Sequence, residues 1–242
     1  MITRYFEKLM RTVKTVIPYK PVNPKSRMAA VFSEDERKLF VELSLENVLR
    51  ALKEAGIKRI EIISTSALPL DDEKKIKDVF DGGDTEILIS EDKRDLNTAL
   101  NDFLKKADCP ILIAMADLAL IKKEDISAMI SESPSSSQLS SSLSVSSSFS
   151  TDGEKKGIVR IAPGKDGGTN MLYIESPEFF EVNYYGESAE KHKKEAENKN
   201  FACEIYESFS AASDMDEPKD LENIRMRGEG KLRDFVCQIL KE

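Results

Sequence analysis

Apolar positions along the chain change period several times, and the changes mark out its elements. Val13 to Tyr19 (VKTVIPY), Lys58 to Thr65 (KRIEIIST) and Thr85 to Ser90 (TEILIS) are short runs rich in β-branched residues that predict strands. Between the first two, Leu39, Phe40, Leu43, Val48, Leu49 and Leu52 recur at helical spacing. Ser33 and Glu36 precede them at capping-box spacing and Gly56 follows, so a long helix is predicted up to Ala55. Asp71 to Phe80 predicts a charged surface helix, and Asp81-Gly82-Gly83-Asp84 a turn before a strand. RDLNTALNDFLKKA predicts a further helix with Leu96, Ala99, Leu100, Phe103 and Leu104 inward. Pro110 to Leu118 (PILIAMADL) is an apolar run ending in one acid, Asp117, the pattern of a buried parallel strand that carries a carboxylate to the top of a sheet. A helix is predicted after it, from Lys122 to Ser131. Four strand-helix units in a row predict a right-handed parallel sheet with helices on both faces.

The second half is less regular. Ile158 to Ala162 and Asn170 to Glu175 read as strands around the loop PGKDGGTN, and Tyr184 to Ser188 (YYGES) leads into a basic helix, AEKHKKEAENK. Phe201 to Ser208 reads as a strand, SDMDEPKDL as an extended segment before a Pro-started helix, and Leu232 to Leu240 as a closing helix. Met1 to Lys14 reads as a short appended helix. Between Ser131 and Ser150 thirteen of twenty residues are serine, too polar to offset the entropy of ordering, which predicts a disordered insertion within one domain spanning 1–242.

Lys+Arg 36 against Asp+Glu 44 gives a net charge of -8. That balance argues against a general polyanion-binding surface, so no nucleic-acid partner is expected and a phosphate ligand must meet a local basic cluster. Cys109, Cys203 and Cys237 are odd in number and lack CxxC spacing, arguing against a disulfide framework or zinc site and for a reducing cytoplasm. A single histidine, His192, excludes metal sites built on several histidines and weakens any triad. No run is long enough to span a membrane and no signal peptide is visible, so a cytoplasmic protein is expected.

Lys20, Lys25 and Arg27 lie within eight residues after the first strand. They form either a solvated turn or, stiffened by Pro21 and Pro24, a clamp for a triphosphate, which is the reading preferred here. Asp117 is a turn or capping residue, or a metal ligand. Asn97 caps its helix or points into the cleft. Gly167-Gly168-Thr169 allows close approach of a ligand to the backbone with a hydroxyl beside it, or serves a plain hairpin. Ser188 caps the basic helix or joins its N-terminus in holding an anion, with His192 one turn along on the same face. Asp214 and Asp216 fall on one side of an extended segment.

In this order, VIPYKPVNPKSRMAAVFSEDER, DLNTAL, ILIAMADL, DGGTN, YGESAEKH and DMDEPKDL resemble the 2-phospho-L-lactate guanylyltransferase family of coenzyme F-420 biosynthesis, from about Val16 to Leu221. The serine-rich insertion and the N-terminal extension lie outside the family pattern, and Gly186 stands one residue nearer the serine than that pattern has it. The resemblance implies an α/β fold, a Rossmann-like mixed sheet with helices on both faces of the glycosyltransferase-A-type nucleotidyltransferase class. It also implies GTP and Mg²⁺. Lys20, Lys25 and Arg27 then match the triphosphate clamp, Asp117 and Asp214 the metal carboxylates with Asp216 the other candidate, and Asn97 a position near the nucleotide. Thr169, Gly186 and Ser188 match the site for a phosphorylated three-carbon acid, with His192 beside them. The acid phosphate is already anionic, so the chemistry needs charge neutralisation and alignment more than a base, and Asp117 with the three cations would supply them. A homodimer and hand-off of product to the next enzyme are further expectations. Phosphoenolpyruvate, 3-phosphoglycerate, another nucleotide, or a non-catalytic nucleotide-binding regulator remain as alternatives.

Overall fold

The apolar run Ile111–Ala114 is buried along its whole length and forms β4, the strand on which both faces of the fold are built. Ile111 and Ile113 face one core cluster, Leu112 and Ala114 the other, as the two-residue period of a strand requires. The computed structural model describes residues 13–22, 24–80, 84–131 and 155–240. The expected N-terminal helix, apart from its last two residues, the Gly82-Gly83 turn and nearly all of the serine-rich insertion lie outside these.

The other strands are β1 (Lys14–Tyr19), β2 (Arg59–Ser64), β3 (Glu86–Glu91), β5 (Ile158–Pro163), β6 (Thr169–Ile174) and β7 (Ala202–Ile205). The principal helices are α1 (Glu34–Glu54), α2 (Leu70–Asp78), α3 (Leu96–Lys105), α4 (Lys123–Ile130), α5 (Ser188–Asn198), α6 (Phe209–Ala212), α7 (Leu221–Arg227) and α8 (Gly230–Ile239). Helix α1 begins with the expected reciprocal cap, Ser33 accepting from the Glu36 amide and the Glu36 carboxylate accepting from the Ser33 amide.

The sheet order is β3-β2-β1-β4-β6-β5-β7. Strands β1 to β4 are parallel, as their pattern predicts. The sheet as a whole is mixed, because β6 runs antiparallel to both β4 and β5. The parallel expectation drawn from the first four units therefore stops at β4, where the hairpin of β5 and β6 joins the sheet with β6 against β4.

Chain direction across the sheet reverses after β3, since β1, β2 and β3 step one way and β4 returns to the far side of β1. With right-handed crossovers a reversal moves the helix to the opposite face. Accordingly α1 and α2 pack on one face through Leu45, Leu49 and Ile76, and α3 on the other through Ala99, Leu100 and Leu104. The reversal puts a switch point between β1 and β4, where α/β sheets bind ligands at the carboxyl ends of the strands. Pairing of β1 with β4 ends at Val16 with Ile113, while β1 continues beside β2 to Tyr19. The sheet therefore opens where the first loop and Asp117 emerge.

One buried hub fixes the far side of that opening. Asp125, 3% exposed at the start of α4, accepts from Tyr206 Oη at 2.9 Å, Ser208 Oγ at 2.5 Å, Ser210 Oγ at 2.6 Å and the Lys122 amide at 2.9 Å. It ties α4 to the segment that runs on to Asp214. Asp125→Ala would strand these donors, and urea denaturation is expected to show a loss of about 3 kcal/mol; a loss below 1 kcal/mol would show that water replaces the carboxylate.

Candidate active site

Lys25 has φ 47 and ψ 49, the left-handed conformation, which costs a non-glycine residue about 1 to 2 kcal/mol. It follows Pro24 and precedes the 3₁₀ turn Ser26–Ala30, whose Met28 is fully buried and donates its amide to the Lys25 carbonyl at 2.9 Å. Anchored on both sides, the residue turns its side chain inward. Its ammonium donates to Asp117 Oδ2 at 2.5 Å and to Asp216 Oδ1 at 2.6 Å. Backbone strain of this kind gathers at functional sites.

The strand that brings Asp117 is shorter than its apolar run. After Ala114 only the Met115 amide still reaches β6, at the Asn170 carbonyl, and Asp117 then lies in a turn closed by the Ala119 amide. Asp214 and Asp216 flank Met215, which is fully buried, so the extended segment turns both acids to the same side. Asp117 and this acidic pair, from distant parts of the chain, thus come close together.

Their electrostatics differ. Burial raises the Asp214 carboxyl above its ordinary value; Lys165 opposes the rise, while Asp216 and Asp117 add to it. For Asp216 burial acts in the same direction, but the Lys25 ammonium outweighs it and holds the carboxyl below its ordinary value. Lys25 is itself raised, because Asp117 and Asp216 overcome its desolvation. Asp214 Oδ1 is buried without a hydrogen-bond partner, the nearest cation being Lys165 Nζ at 3.9 Å. Among the described residues no three acidic, histidine or cysteine side chains are gathered as a complete metal site. Mg²⁺ does not need one, since it takes one or two carboxylates and completes its shell with phosphate oxygens and water. An orphaned carboxylate oxygen beside two further acids is a donor set that fits such an ion.

The cleft at the end of β1 has a volume of about 320 Å³ and is lined by Tyr19, Lys20, Lys25, Arg27, Asp117 and Asp216 among others. Lys20 is exposed, and the Arg27 side chain is 71% exposed with its guanidinium 4.0 Å from Asp216. The three predicted cations therefore line one cleft with Asp117 and Asp216, while Asp214 is not among its lining residues.

Asn97 neither caps its helix nor lines that cleft. Asp95 caps α3 by accepting from the Thr98 amide, and Asn97 Oδ1 accepts from the Tyr184 amide at 2.7 Å. One turn later Asn101 holds Val182 through both its amide and its carbonyl. The two asparagines together grip the irregular segment that leads to the YGES turn.

Thr169, Ser188 and His192 meet one another in a separate buried cluster. Ser188 is the first residue of α5, after the cap at Glu187, and its hydroxyl donates to Thr169 Oγ1 at 3.1 Å. His192 Nδ1 lies 2.9 Å from the same oxygen. All three are buried, at 4%, 1% and 0% exposure respectively. Gly186 has φ 70, and its carbonyl accepts from the Ser188 amide at 2.7 Å, so the turn needs a residue free of a Cβ penalty. The Lys191 ammonium stands beside it, donating to the Tyr185 carbonyl.

Two residues of the site escape a reading of the sequence. Lys165, in the loop between β5 and β6, donates to Asp220 Oδ2 at 2.6 Å and to the Asp214 carbonyl at 3.2 Å. The same Asp220 oxygen accepts from the amides of Asp216 and Glu217 at 3.2 and 2.9 Å, holding the acidic segment in shape. The spacing of Glu217 to Asp220 is that of a capping box and is the signal that would have found the acid. Nothing local marks the lysine.

The fold is that of solved nucleotide transferases. The chain superposes with a TM-score of 0.65 and 12% identity on a protein assigned to the nucleotide-diphospho-sugar transferases from Desulfovibrio desulfuricans, over 96% of this chain and 98% of that one. A cytidylyltransferase from Leptospira borgpetersenii gives a TM-score of 0.51 at 14% identity, over 96% and 94%. In sequence, the 2-phospho-L-lactate guanylyltransferase of Methanosarcina mazei is 39% identical over 224 residues, 93% of this chain and 91% of the relative. That of Methanococcoides burtonii is 35% identical over 93% of this chain and 88% of the relative. The family model described as guanylyl transferase CofC like matches residues 13–139 and 134–240, so it runs through the first loop, Asp117, the Thr169 pocket and the acidic segment alike. By both measures the chain belongs to the CofC-like guanylyl transferases.

Proposed function

We propose that this chain joins GTP and 2-phospho-L-lactate to give lactyl-diphospho-guanosine and pyrophosphate, the guanylyl transfer step of coenzyme F-420 biosynthesis. Family membership supports the reaction, and one observation ties it to this chain's own residues: Lys25 joins Asp117 and Asp216 at the mouth of a cleft that also carries Lys20 and Arg27. An oxygen of the acid's phosphate attacks the α-phosphorus of GTP. A new phosphorus-oxygen bond forms, the bond from the α-phosphorus to the bridging oxygen breaks, and pyrophosphate departs with that oxygen.

The residues' task is to bring two anions together and to neutralise charge as it moves to the leaving group. Lys20, Lys25 and Arg27 hold the β- and γ-phosphates and stabilise the departing pyrophosphate. Lys25 can do so only by giving up part of its contact with the two acids. Asp117 and Asp214, with Asp216 beside them, would hold Mg²⁺, which when bound supplies positive charge at the α-phosphate. Thr169 and Ser188, with the Gly186 turn, form the side that receives the acid.

The test is a turnover assay pairing GTP, ATP and CTP with 2-phospho-L-lactate, phosphoenolpyruvate and 3-phosphoglycerate, reading pyrophosphate and the diphosphate product. Pyrophosphate released fastest from GTP with 2-phospho-L-lactate is the expected result. Release with another pair alone would move the assignment to that pair, and none with any pair would reject it.

A further inference from the structure

His192 is wholly buried and both its ring nitrogens are engaged. The Asn183 amide donates to Nε2 at 3.0 Å, and a backbone N–H cannot accept in return. Nε2 therefore carries the lone pair, and the ring proton of the neutral imidazole sits on Nδ1. Burial pushes the imidazole down to about 4, with nearby Lys191 adding to the effect, so the ring is neutral near pH 7. Nδ1–H then donates to Thr169 Oγ1 at 2.9 Å.

That oxygen also accepts from Ser188 Oγ at 3.1 Å. A hydroxyl has two lone pairs and one proton. With both lone pairs occupied, Thr169 has only its proton left to offer. Among the described residues its side-chain hydrogen bonds are those with His192 and Ser188, and neither takes that proton.

We infer that His192 is a positioning residue for the acceptor acid: by fixing its own tautomer it makes Thr169 a pure donor, aimed at a carboxylate or phosphate oxygen. The chain of control begins further away. Asn97 and Asn101 hold the amide of Tyr184 and both polar groups of Val182, which sets the Asn183 amide between them on Nε2. An acceptor-only ligand is thereby favoured over one presenting a hydroxyl proton at that point. This inference rests on the acid-binding role given to Thr169 above.

Because the chain has one histidine, a ¹⁵N-imidazole spectrum reports this residue alone. The expected spectrum shows one tautomer, protonated on Nδ1 and bare on Nε2, unchanged from pH 8 to pH 5.5. A proton on Nε2, or titration near the ordinary histidine value, would overturn the inference, and neither depends on turnover. In kinetics, His192→Leu is expected to raise KM for the acid about tenfold, roughly the worth of one neutral hydrogen bond, with KM for GTP unchanged. His192→Asn, which keeps a donor near the Nδ1 position, should recover most of that loss. Equal effects on both substrates, or no recovery by asparagine, would make the histidine a packing residue only. Should the leucine variant fail to fold, Thr169→Val tests the same donor: an unchanged KM for the acid would overturn the inference. An enzyme inactive with every acid but showing the expected spectrum would overturn the acid-binding role and leave the tautomer standing.

Discussion

Asp117→Ala is expected to lower the rate of pyrophosphate release from GTP and 2-phospho-L-lactate by about 10² to 10³, the usual loss on removing one preorganised electrostatic group. Two effects combine. On the proposed function the acid would hold the cation that offsets charge at the α-phosphate, and it is also one of two anchors for Lys25. Lys25 retains Asp216 at 2.6 Å in the variant, so the first loop keeps its shape and the loss falls on chemistry. Asp214→Ala should produce a loss of similar size without touching Lys25, because Lys25 is held by Asp117 and Asp216 and the buried Asp214 Oδ1 has no hydrogen bond. Steady-state rates at saturating GTP and varied Mg²⁺ separate the two. If Asp117→Ala works at near-normal rate, the carboxylates are structural and the metal assignment fails.

Acid is expected to unfold the protein through His192, and the sign follows from its position. Its value in the fold is about 4 against about 6.5 unfolded. Between these values the unfolded chain binds a proton that the folded chain refuses, so stability falls as pH falls. The contribution is complete above about pH 6.5 and is lost progressively down to pH 4, by which point the loss amounts to about 3 kcal/mol. Asp214 acts in the opposite sense, since burial raises its carboxyl and lower pH relieves it. Comparing urea denaturation of the native chain with His192→Asn at pH 7, 5.5 and 4.5 cancels that term. The variant should show the flatter pH dependence; parallel curves would mean that the imidazole is solvated in the fold.

Much of the site's wall is legible in single segments. Lys20, Lys25 and Arg27 follow a strand that ends at the sheet's carboxyl edge, and Asp117 follows another, so locating the strands locates the residues. Asp214 and Asp216 read as a pair because their spacing of two puts them on one side of extended chain. Asn97 shows where this reasoning stops. Its position in the first turn of a helix suggests a cap, but its partner is Tyr184, 87 residues away. His192 likewise falls on the same helix face as Ser188, while its burial and its tautomer depend on Asn183 and Thr169, which arrive on other segments.

What the sequence alone determined is the set of elements: the capped helix α1, the two-sided burial of β4, the parallel direction of the first four strands, and the family its motifs resemble. These follow from periods of two and 3.6 residues and from capping over three or four positions, all of which are local. Tertiary structure decided the rest: the antiparallel entry of β6 beside β4, the ammonium of Lys25 between Asp117 and Asp216, and the junction of Lys165 with Asp220. These contacts close loops of tens to hundreds of residues, and their selection depends on which strands are neighbours and which charges are desolvated together. No local period carries that information.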